Sequence, residues 1–304
     1  MSEEQNTDLS YSDSTGIYRF HKGDWDGWVL HDCAFPPGPV QQYAVSAPDL
    51  EILQLMDTHF LPSDQFQLNS SPLLLRWNGQ FILVDTGVGQ HVEGVSGMLD
   101  RQLSRLGVRQ EQINYVLITH LHIDHIGGAY SENRSLLPNA AYYVSEREAD
   151  FWNQPDPDLS ELRGVPTELI ELTIRGARNG LSVLSGQIVL FKPDEELLPG
   201  ITALSLPGHT PGHSGFHFKS GQEQFVTIGD AAHDPLLQLL NPGWTTMGDA
   251  LRATTVETRK TLLNWLASER MRFHAYHFPF PSIGRVRSDK TNSYEFVPER
   301  WLWR

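Results

Sequence analysis

Four candidate metal ligands stand within six consecutive positions of the chain, in the segment Thr119-His120-Leu121-His122-Ile123-Asp124-His125-Ile126-Gly127-Gly128. The apolar run 115–118 before it is typical of a buried strand, so we expect the segment to be a loop at a strand end. Burying three imidazoles and a carboxylate without a shared cation would cost about 1 to 3 kcal/mol for each unsatisfied group. Imidazole and carboxylate together suit zinc, iron, manganese or cobalt. The segment therefore predicts a metal site, and its spacing permits two metals.

The amino-acid composition limits the kinds of molecule that the chain is expected to bind. The chain has 304 residues, of which 39% are hydrophobic and 20% charged, which is typical of a globular protein and not of a disordered one. Its 37 acidic residues exceed its 23 Lys and Arg, giving a net charge of −14 that disfavours nucleic acid, anionic membranes and polyanionic substrates. A single cysteine, Cys33, excludes an intramolecular disulfide and a multi-cysteine metal site. We therefore expect a small-molecule substrate.

Residues 1–15 are polar, with early acidic residues and no apolar run, unlike a secretory signal. The most apolar stretches are far shorter than the roughly 20 residues that cross a bilayer. These features predict a disordered tail over 1–15, one domain over 16–304 and a cytoplasmic location. The sequence leaves a homodimer open.

Short strands and interspersed helices follow the tail. Two apolar runs, 73–77 and 81–84, flank Asn78-Gly79, which predicts a β-hairpin. A polar stretch, 150–180, is too long for a plain connection, and whether it caps a site stays open. Two groups of strands without regular strand–helix alternation predict an α/β layered sandwich. Further strands are expected at 141–144, 188–191, 201–206, 215–218 and 225–228, and a helix at 254–269.

The histidine segment also has companions in a defined order. It resembles the His-x-His-x-Asp-His signature of the metallo-β-lactamase superfamily, and this resemblance implies an αββα sandwich with metals at one edge between the two sheets. The five ordered motifs are Leu83-Val84-Asp85-Thr86-Gly87, His120 to His125, Pro207-Gly208-His209-Thr210-Pro211-Gly212-His213, Ile228-Gly229-Asp230 and His277-Phe278-Pro279.

The resemblance also implies a site with two divalent ions, zinc first and manganese, iron or cobalt as alternatives. It assigns one ion to His120, His122 and His209, the other to Asp124, His125 and His277, and makes Asp230 the bridge. A hydroxide bridging the metals would attack the substrate, so Asp124 and Asp230 are the expected catalytic residues. Asp85 and His213 would orient the ligands without binding a metal themselves.

Within the superfamily, Asp230-Ala231-Ala232-His233 and His277-Phe278-Pro279-Phe280-Pro281 are similar to methyl parathion hydrolase-like and lactonase-like members. The branch of true β-lactamases is disfavoured, because those enzymes usually place a cysteine in the later metal site. Acyl-homoserine lactonases usually carry a tyrosine three residues after the bridging aspartate, where this chain has His233.

These features predict a metal-dependent hydrolase that cleaves small apolar esters, lactones or phosphotriesters. The alternative is an acyl-homoserine lactonase that quenches quorum signals. A mononuclear iron dioxygenase acting on a thiol adduct and a non-catalytic metal-binding protein are further alternatives.

Aromatic residues near the ligands suggest an apolar substrate pocket. Phe278 and Phe280 flank the candidate ligand His277, and Phe151, Trp152 and Trp244 lie in segments that can fold over the metals. Such rings would bury an apolar leaving group. We expect at least one of the five to line the pocket, with His233 beside the ligands.

Overall fold

Two seven-stranded sheets form the centre of the computed structural model, which describes residues 15–162, 164–288 and 293–300. In chain order the strands are β1 (Ile17–Lys22), β2 (Trp25–Leu30), β3 (Cys33–Ala34), β4 (Asn69–Ser70), β5 (Leu73–Trp77), β6 (Gln80–Val84), β7 (Ile113–Leu117), β8 (Tyr130–Ser131), β9 (Arg134–Ser135), β10 (Ala141–Ser145), β11 (Ile188–Phe191), β12 (Glu196–Leu198), β13 (Ile201–Ser205), β14 (Ser214–Ser220), β15 (Glu223–Thr227), β16 (Phe273–His274), β17 (Ile283–Ser288) and β18 (Tyr294–Pro298).

The first sheet has the order β1-β2-β5-β6-β7-β10-β11, and the second runs from β12 to β18 in chain order. Strands β3 and β4 form one small two-stranded sheet, and β8 and β9 form another. The α-helices are α1 (Asp49–Thr58), α2 (Leu99–Arg105), α3 (Ile123–Ile126), α4 (Glu146–Asn153), α5 (Thr167–Val183) and α6 (Arg252–Ser268). Shorter helical turns are Val40–Tyr43, Gln110–Gln112, Gly127–Ala129, Gly229–Ala231 and Pro235–Leu239.

Successive apolar side chains of a strand point to opposite faces of its sheet, so each sheet is covered on both faces and the fold has four layers. In β5, Leu73 and Leu75 point into the cluster between the two sheets, while Leu74 points into the cluster beneath α2 to α5. On the other side, α6 packs on the second sheet through Leu263 and Leu266. The order of layers is therefore helix, sheet, sheet, helix, and the αββα arrangement predicted from the sequence is confirmed.

The predicted hairpin joins β5 to β6 with antiparallel pairing of Trp77 and Gln80. Its turn residues Asn78 and Gly79 both have positive φ, at 49° and 79°, which is the conformation that a two-residue turn of this kind requires. Strand β7 then lies parallel to β6. The loops that follow β6 and β7 therefore leave the first sheet at the same edge.

Loops of the second sheet reach the same place, beside the loops that follow β6 and β7. Strand β15 lies parallel to β16, so the turn that carries Asp230 and the loop that carries His277 leave from adjacent strand ends. His209 lies between β13 and β14. The candidate ligands thus come from loops of both sheets.

Residues 150–180 contain more regular structure than their composition suggested. They include the end of α4 and most of α5, with the prolines Pro155, Pro157 and Pro166 outside both helices. Gly176 of α5 packs so closely on α3 that an added Cβ would lie 2.7 Å from Ile123 Cδ1. Helix α5 therefore supports the histidine segment from the outer layer. Its glycines weaken intrinsic helix propensity, which explains why the helix was missed.

Two expectations concern the ends of the chain and the membrane. The predicted polar tail lies almost entirely outside the described residues, which begin at 15. Among the residues that the structure describes, no helix is long and apolar enough to cross a membrane.

Candidate metal centre

The segment after β7 brings two histidines beside a third from the second sheet. His120, His122 and His209 have their ligand-type atoms within 4.8 Å of one another. His122 Nδ1 and His209 Nε2 face each other at 3.0 Å. These are the three residues that the resemblance assigned to one metal.

A second group lies beside the first. The ligand-type atoms of Asp124, His125 and His277 also lie within 4.8 Å of one another. The Asp124 Oδ2 atom is 3.4 Å from His277 Nε2 and 3.6 Å from His125 Nε2. These are the three residues expected for the other metal.

Asp230 lies between the two groups. Its Oδ2 atom is 3.1 Å from His277 Nε2, 3.3 Å from His209 Nε2 and 3.8 Å from His120 Nε2. Its Oδ1 atom is 3.3 Å from His125 Nε2. Because one carboxylate faces nitrogens from both groups, it is placed where a bridging ligand is needed.

Hydrogen bonds fix the tautomers of three histidines. The Nδ1 atoms of His125, His209 and His277 lie 2.9, 2.9 and 2.7 Å from Asp85, Asp249 and the carbonyl of Asn69. A carboxylate or carbonyl oxygen only accepts here, so each Nδ1 carries the proton and donates it. Each Nε2 then presents a lone pair to the cluster. Metal-binding histidines typically have this arrangement.

The cluster passes a test of fit for divalent cations. His120 Nε2, His125 Nε2 and Asp230 Oδ1 are buried and have no hydrogen-bond partner among the described residues. Leaving such atoms unsatisfied is costly in a protein interior. Imidazole nitrogens and carboxylate oxygens at this density are ligands for zinc and similar ions, and no cysteine is needed.

The electrostatics of His120, His122 and Asp230 favour the forms that bind metal. Burial and the neighbouring histidines hold the pKa of His120 and of His122 well below the usual value, so both rings are neutral. Burial alone would raise the pKa of Asp230, but His277, His125 and His233 outweigh it and lower this pKa well below the usual range. Asp230 is therefore ionised, as a bridging ligand must be.

Asp85 connects the first motif to the histidine segment. It is fully buried with a φ of 56°, and it accepts hydrogen bonds from the backbone N–H and hydroxyl of Thr119, both at 2.8 Å. The Thr119 hydroxyl in turn lies 3.1 Å from His120 Nδ1. Gly128 permits close packing of this loop, because an added Cβ would lie 1.9 Å from the Thr86 carbonyl oxygen.

Glu148 of α4 holds the two histidine-bearing loops together and was not found from the sequence. It is fully buried and accepts hydrogen bonds from Leu121 N at 3.0 Å, Thr210 Oγ1 at 2.6 Å and Gly212 N at 3.0 Å. Trp152 Nε1 donates a fourth bond at 2.7 Å. In the sequence it looks like any exposed helical glutamate.

Asp249 is another buried carboxylate beside the ligands that the sequence did not indicate. Burial raises its pKa, but the hydrogen bond from His209 outweighs this effect and lowers the pKa to about 2. Asp249 lies outside the five motifs, 40 residues after His209, and no local signal marks it.

His213 and His233 occupy different surroundings. Both ring nitrogens of His213 are used: Nδ1 donates to the Leu206 carbonyl at 2.9 Å, and Nε2 accepts from Asp230 N at 2.9 Å. His233 Nε2 lies 3.2 Å from Asp230 Oδ2, and its ring stacks on His277. His213 therefore positions the Asp230 backbone, while His233 contacts its carboxylate.

The structure differs in part from the expectation of an aromatic pocket. Phe278 is fully buried in the core beneath α6, with its ring edge-on to Phe296 at 5.1 Å, so it does not face an open pocket. Phe151 and Trp152 are buried in the core beneath α2 to α5. Phe280 is half-buried against the core between the sheets.

Phe35 is an aromatic ring near the ligands that the sequence did not suggest. It is half-buried, and its centroid lies 6.4 Å from that of His277. Trp244 is also half-buried and packs in the cluster around α1, against which Phe35 packs as well. Trp152 contacts the site only from behind, with its ring 5.7 Å from that of His122.

The fold and ligand arrangement agree with a comparison of family models. Residues 67–272, more than half of the chain, match the model of the metallo-beta-lactamase superfamily. The chain belongs to this superfamily. The resemblance inferred from the five motifs is therefore confirmed.

Curated relatives within the superfamily match over part of their length. An N-acyl homoserine lactonase of Bacillus cereus is 24% identical over 129 residues, which are 41% of this chain and 41% of that protein. A probable metallo-hydrolase of Streptococcus pyogenes serotype M6 is 30% identical over 151 residues, 49% of this chain and 56% of that protein. The chain thus spans about half the length of the curated relatives it matches.

Solved structures match over nearly the whole chain. AidC, a dizinc quorum-quenching lactonase solved with the product N-hexanoyl-L-homoserine, has a TM-score of 0.89 and 25% identity, covering 94% of this chain and 98% of that chain. AbOPH, a hydrolase in the beta lactamase superfamily, has a TM-score of 0.85 and 26% identity with the same coverage.

Proposed function

We propose that this protein is a two-metal hydrolase that opens lactones, with N-acyl homoserine lactones as the favoured substrates. The observation that carries the proposal is the position of Asp230 between the groups His120–His122–His209 and Asp124–His125–His277. All seven residues are proposed ligands, with zinc as the first candidate metal. Likeness to the lactonases of Bacillus cereus and AidC favours the lactone class.

In the proposed hydrolysis, the metal ions and the side chains of the protein would have separate roles. Two divalent ions held here would polarise the ester carbonyl and supply hydroxide near neutral pH. The side chain of Asp124 is 15% exposed and that of Asp230 is 3% exposed, so Asp124 is the carboxylate nearer to the open side. We assign Asp124 to orienting the attacking water and accepting its proton. Asp230 holds the two ligand groups together.

His233 stands where acyl-homoserine lactonases usually have tyrosine. Its Nε2 atom donates towards Asp230, so its contribution is to orient that carboxylate. Phe35 beside His277 supplies an apolar surface next to the ligands. Neutral apolar esters suit this surface better than phosphomonoesters, because the chain carries a net charge of −14.

A substrate panel tests the proposal. Metal-replete protein should hydrolyse N-hexanoyl-L-homoserine lactone faster than p-nitrophenyl acetate, and p-nitrophenyl phosphate slowest. Asp124→Asn should lower the rate by about 100-fold or more, because proton transfer by a positioned group contributes about 10²- to 10⁴-fold. Metal content must be measured in parallel, so that ion loss is not read as lost proton transfer.

Two outcomes of this panel separate the candidate functions. Preference for the aryl ester over the lactone would favour the broader esterase predicted from the sequence. Preference for the phosphomonoester would contradict both.

A further inference from the structure

Asp249 lies behind the proposed metal centre and outside all of the sequence motifs. Its side chain is fully buried, and Oδ1 accepts the hydrogen bond from His209 Nδ1 at 2.9 Å. The second oxygen, Oδ2, accepts from Thr246 N at 2.8 Å. Both carboxylate oxygens are therefore committed, and the one that touches His209 cannot rotate away without losing a second bond.

Arg259 of α6 secures this carboxylate from the other side. Its guanidinium is fully buried and donates to the carbonyl oxygens of Ala231 at 2.6 Å, Pro242 at 3.1 Å and Trp244 at 2.6 Å. Its Nη2 atom lies 4.0 Å from Asp249 Oδ2. Since Ala231 follows Asp230, the same arginine ties Asp249 to the turn that carries the proposed bridging ligand.

We propose that Asp249 is a positioning residue for His209 and strengthens ion binding selectively in the group His120–His122–His209. This inference rests on the two-metal function proposed above. The carboxylate keeps the proton of His209 on Nδ1 and aims the Nε2 lone pair at the cluster. The other group has its own carboxylate, because Asp85 accepts the corresponding bond from His125.

Two substitutions of Asp249 should weaken zinc binding to different extents. Asp249→Ala removes the acceptor, so the His209 ring can adopt the other tautomer or rotate, and one zinc affinity should fall by about 10- to 100-fold. Asp249→Asn keeps one oxygen acceptor but loses the charge, so its effect should be smaller. Neither substitution touches Asp85 or His125, so the second affinity should stay unchanged.

The matched control is Asp32→Asn. Asp32 is also fully buried, and both of its oxygens accept backbone N–H bonds, from Val88 at 2.9 Å, Met98 at 2.8 Å and Leu99 at 2.9 Å. This variant therefore also removes a buried carboxylate, but Asp32 makes no hydrogen bond to a candidate ligand among the described residues. It measures the general cost of neutralising a buried aspartate.

The experiment is a zinc titration of the metal-free full-length chain by calorimetry, with histidine ¹⁵N NMR of the same samples. We expect Asp249→Ala to weaken one of two zinc sites and to remove the hydrogen-bonded Nδ1 proton signal of His209. Asp32→Asn should lower the melting temperature without weakening either site. If Asp249→Ala does not fold, Asp249→Asn decides by the same two measurements, with a smaller loss of affinity at one site and a shifted rather than absent Nδ1 proton signal of His209.

Two results would overturn the proposal. One is unchanged zinc affinity at both sites in the Asp249 variants. The other is an equal loss at both sites that Asp32→Asn reproduces, which would mean a general structural role. Wild-type protein that binds two zinc ions but opens no ester would instead contradict the proposed function and leave the Asp249 result standing.

Discussion

His125 and His277 differ from His120 and His122 in the protonation state that their surroundings favour. Burial lowers the pKa of His125 and of His277, but Asp230 and Asp124 outweigh it and raise both values. The pKa values of His120 and His122 are lowered instead, chiefly by burial. A raised pKa means that the proton is held at higher pH, where it competes with a metal ion.

This difference predicts the order in which the histidines of the metal-free protein take up protons. As the pH falls, His125 and His277 should be protonated before His120 and His122, because the carboxylates of Asp230 and Asp124 stabilise their charged forms. Histidine ¹⁵N NMR of the metal-free protein from about pH 8 down to pH 5, the range in which histidine titrates, measures this order. Protonation of His120 and His122 first would contradict it.

At the scale of single elements, helix α4 stabilises the site through the side chain of Glu148. Replacing Glu148 by Ala would leave four donors without their acceptor, on Leu121, Trp152, Thr210 and Gly212. At about 1 to 3 kcal/mol for each unsatisfied buried group, the free energy of unfolding should fall by several kcal/mol. Denaturant unfolding of the metal-free protein measures this loss.

The control for Glu148→Ala lies on the same helix. Glu146 is exposed, so Glu146→Ala should change the free energy of unfolding by no more than about 0.5 kcal/mol. Metal loading should also recover less well in Glu148→Ala, since the two loops that it connects carry His122 and His209. Equal stability of the two variants would show that the bonds of Glu148 do not hold these loops.

The contrast between Glu146 and Glu148 shows where sequence reasoning stops. Local patterns can be interpreted without knowing the whole fold. The turn Asn78-Gly79 has the positive φ that a two-residue hairpin turn requires, and the continuous apolar run Leu73-Leu74-Leu75 is typical of a strand covered on both faces. Four candidate ligands are evident from the histidine segment alone, and the resemblance to the superfamily implied the other three, His209, Asp230 and His277. A lone acidic residue such as Glu148 carries no sign of its distant partners, because burial depends on how the whole chain packs.

At the scale of the whole molecule, the two sheets determine which residues can meet. The parallel pair β6 and β7 directs Asp85 and the histidine segment to one edge, and the parallel pair β15 and β16 directs Asp230 and His277 to the same place. The sequence predicted these layers because its strands fall into two groups. It could not predict that α5 would support the site from the outer layer, since the closeness of α5 to α3 arises only in the packed fold.

The metal content of the chain tests the central claim most directly. Protein purified without chelator and reconstituted with zinc should contain two ions per chain by elemental analysis, because the cluster offers two ligand groups around Asp230. Asp230→Ala should retain one ion or fewer, since the repulsion between two cations would lose its shared counter-charge. A firm value of one ion per chain in the unaltered protein, with His277 unbound, would contradict the account.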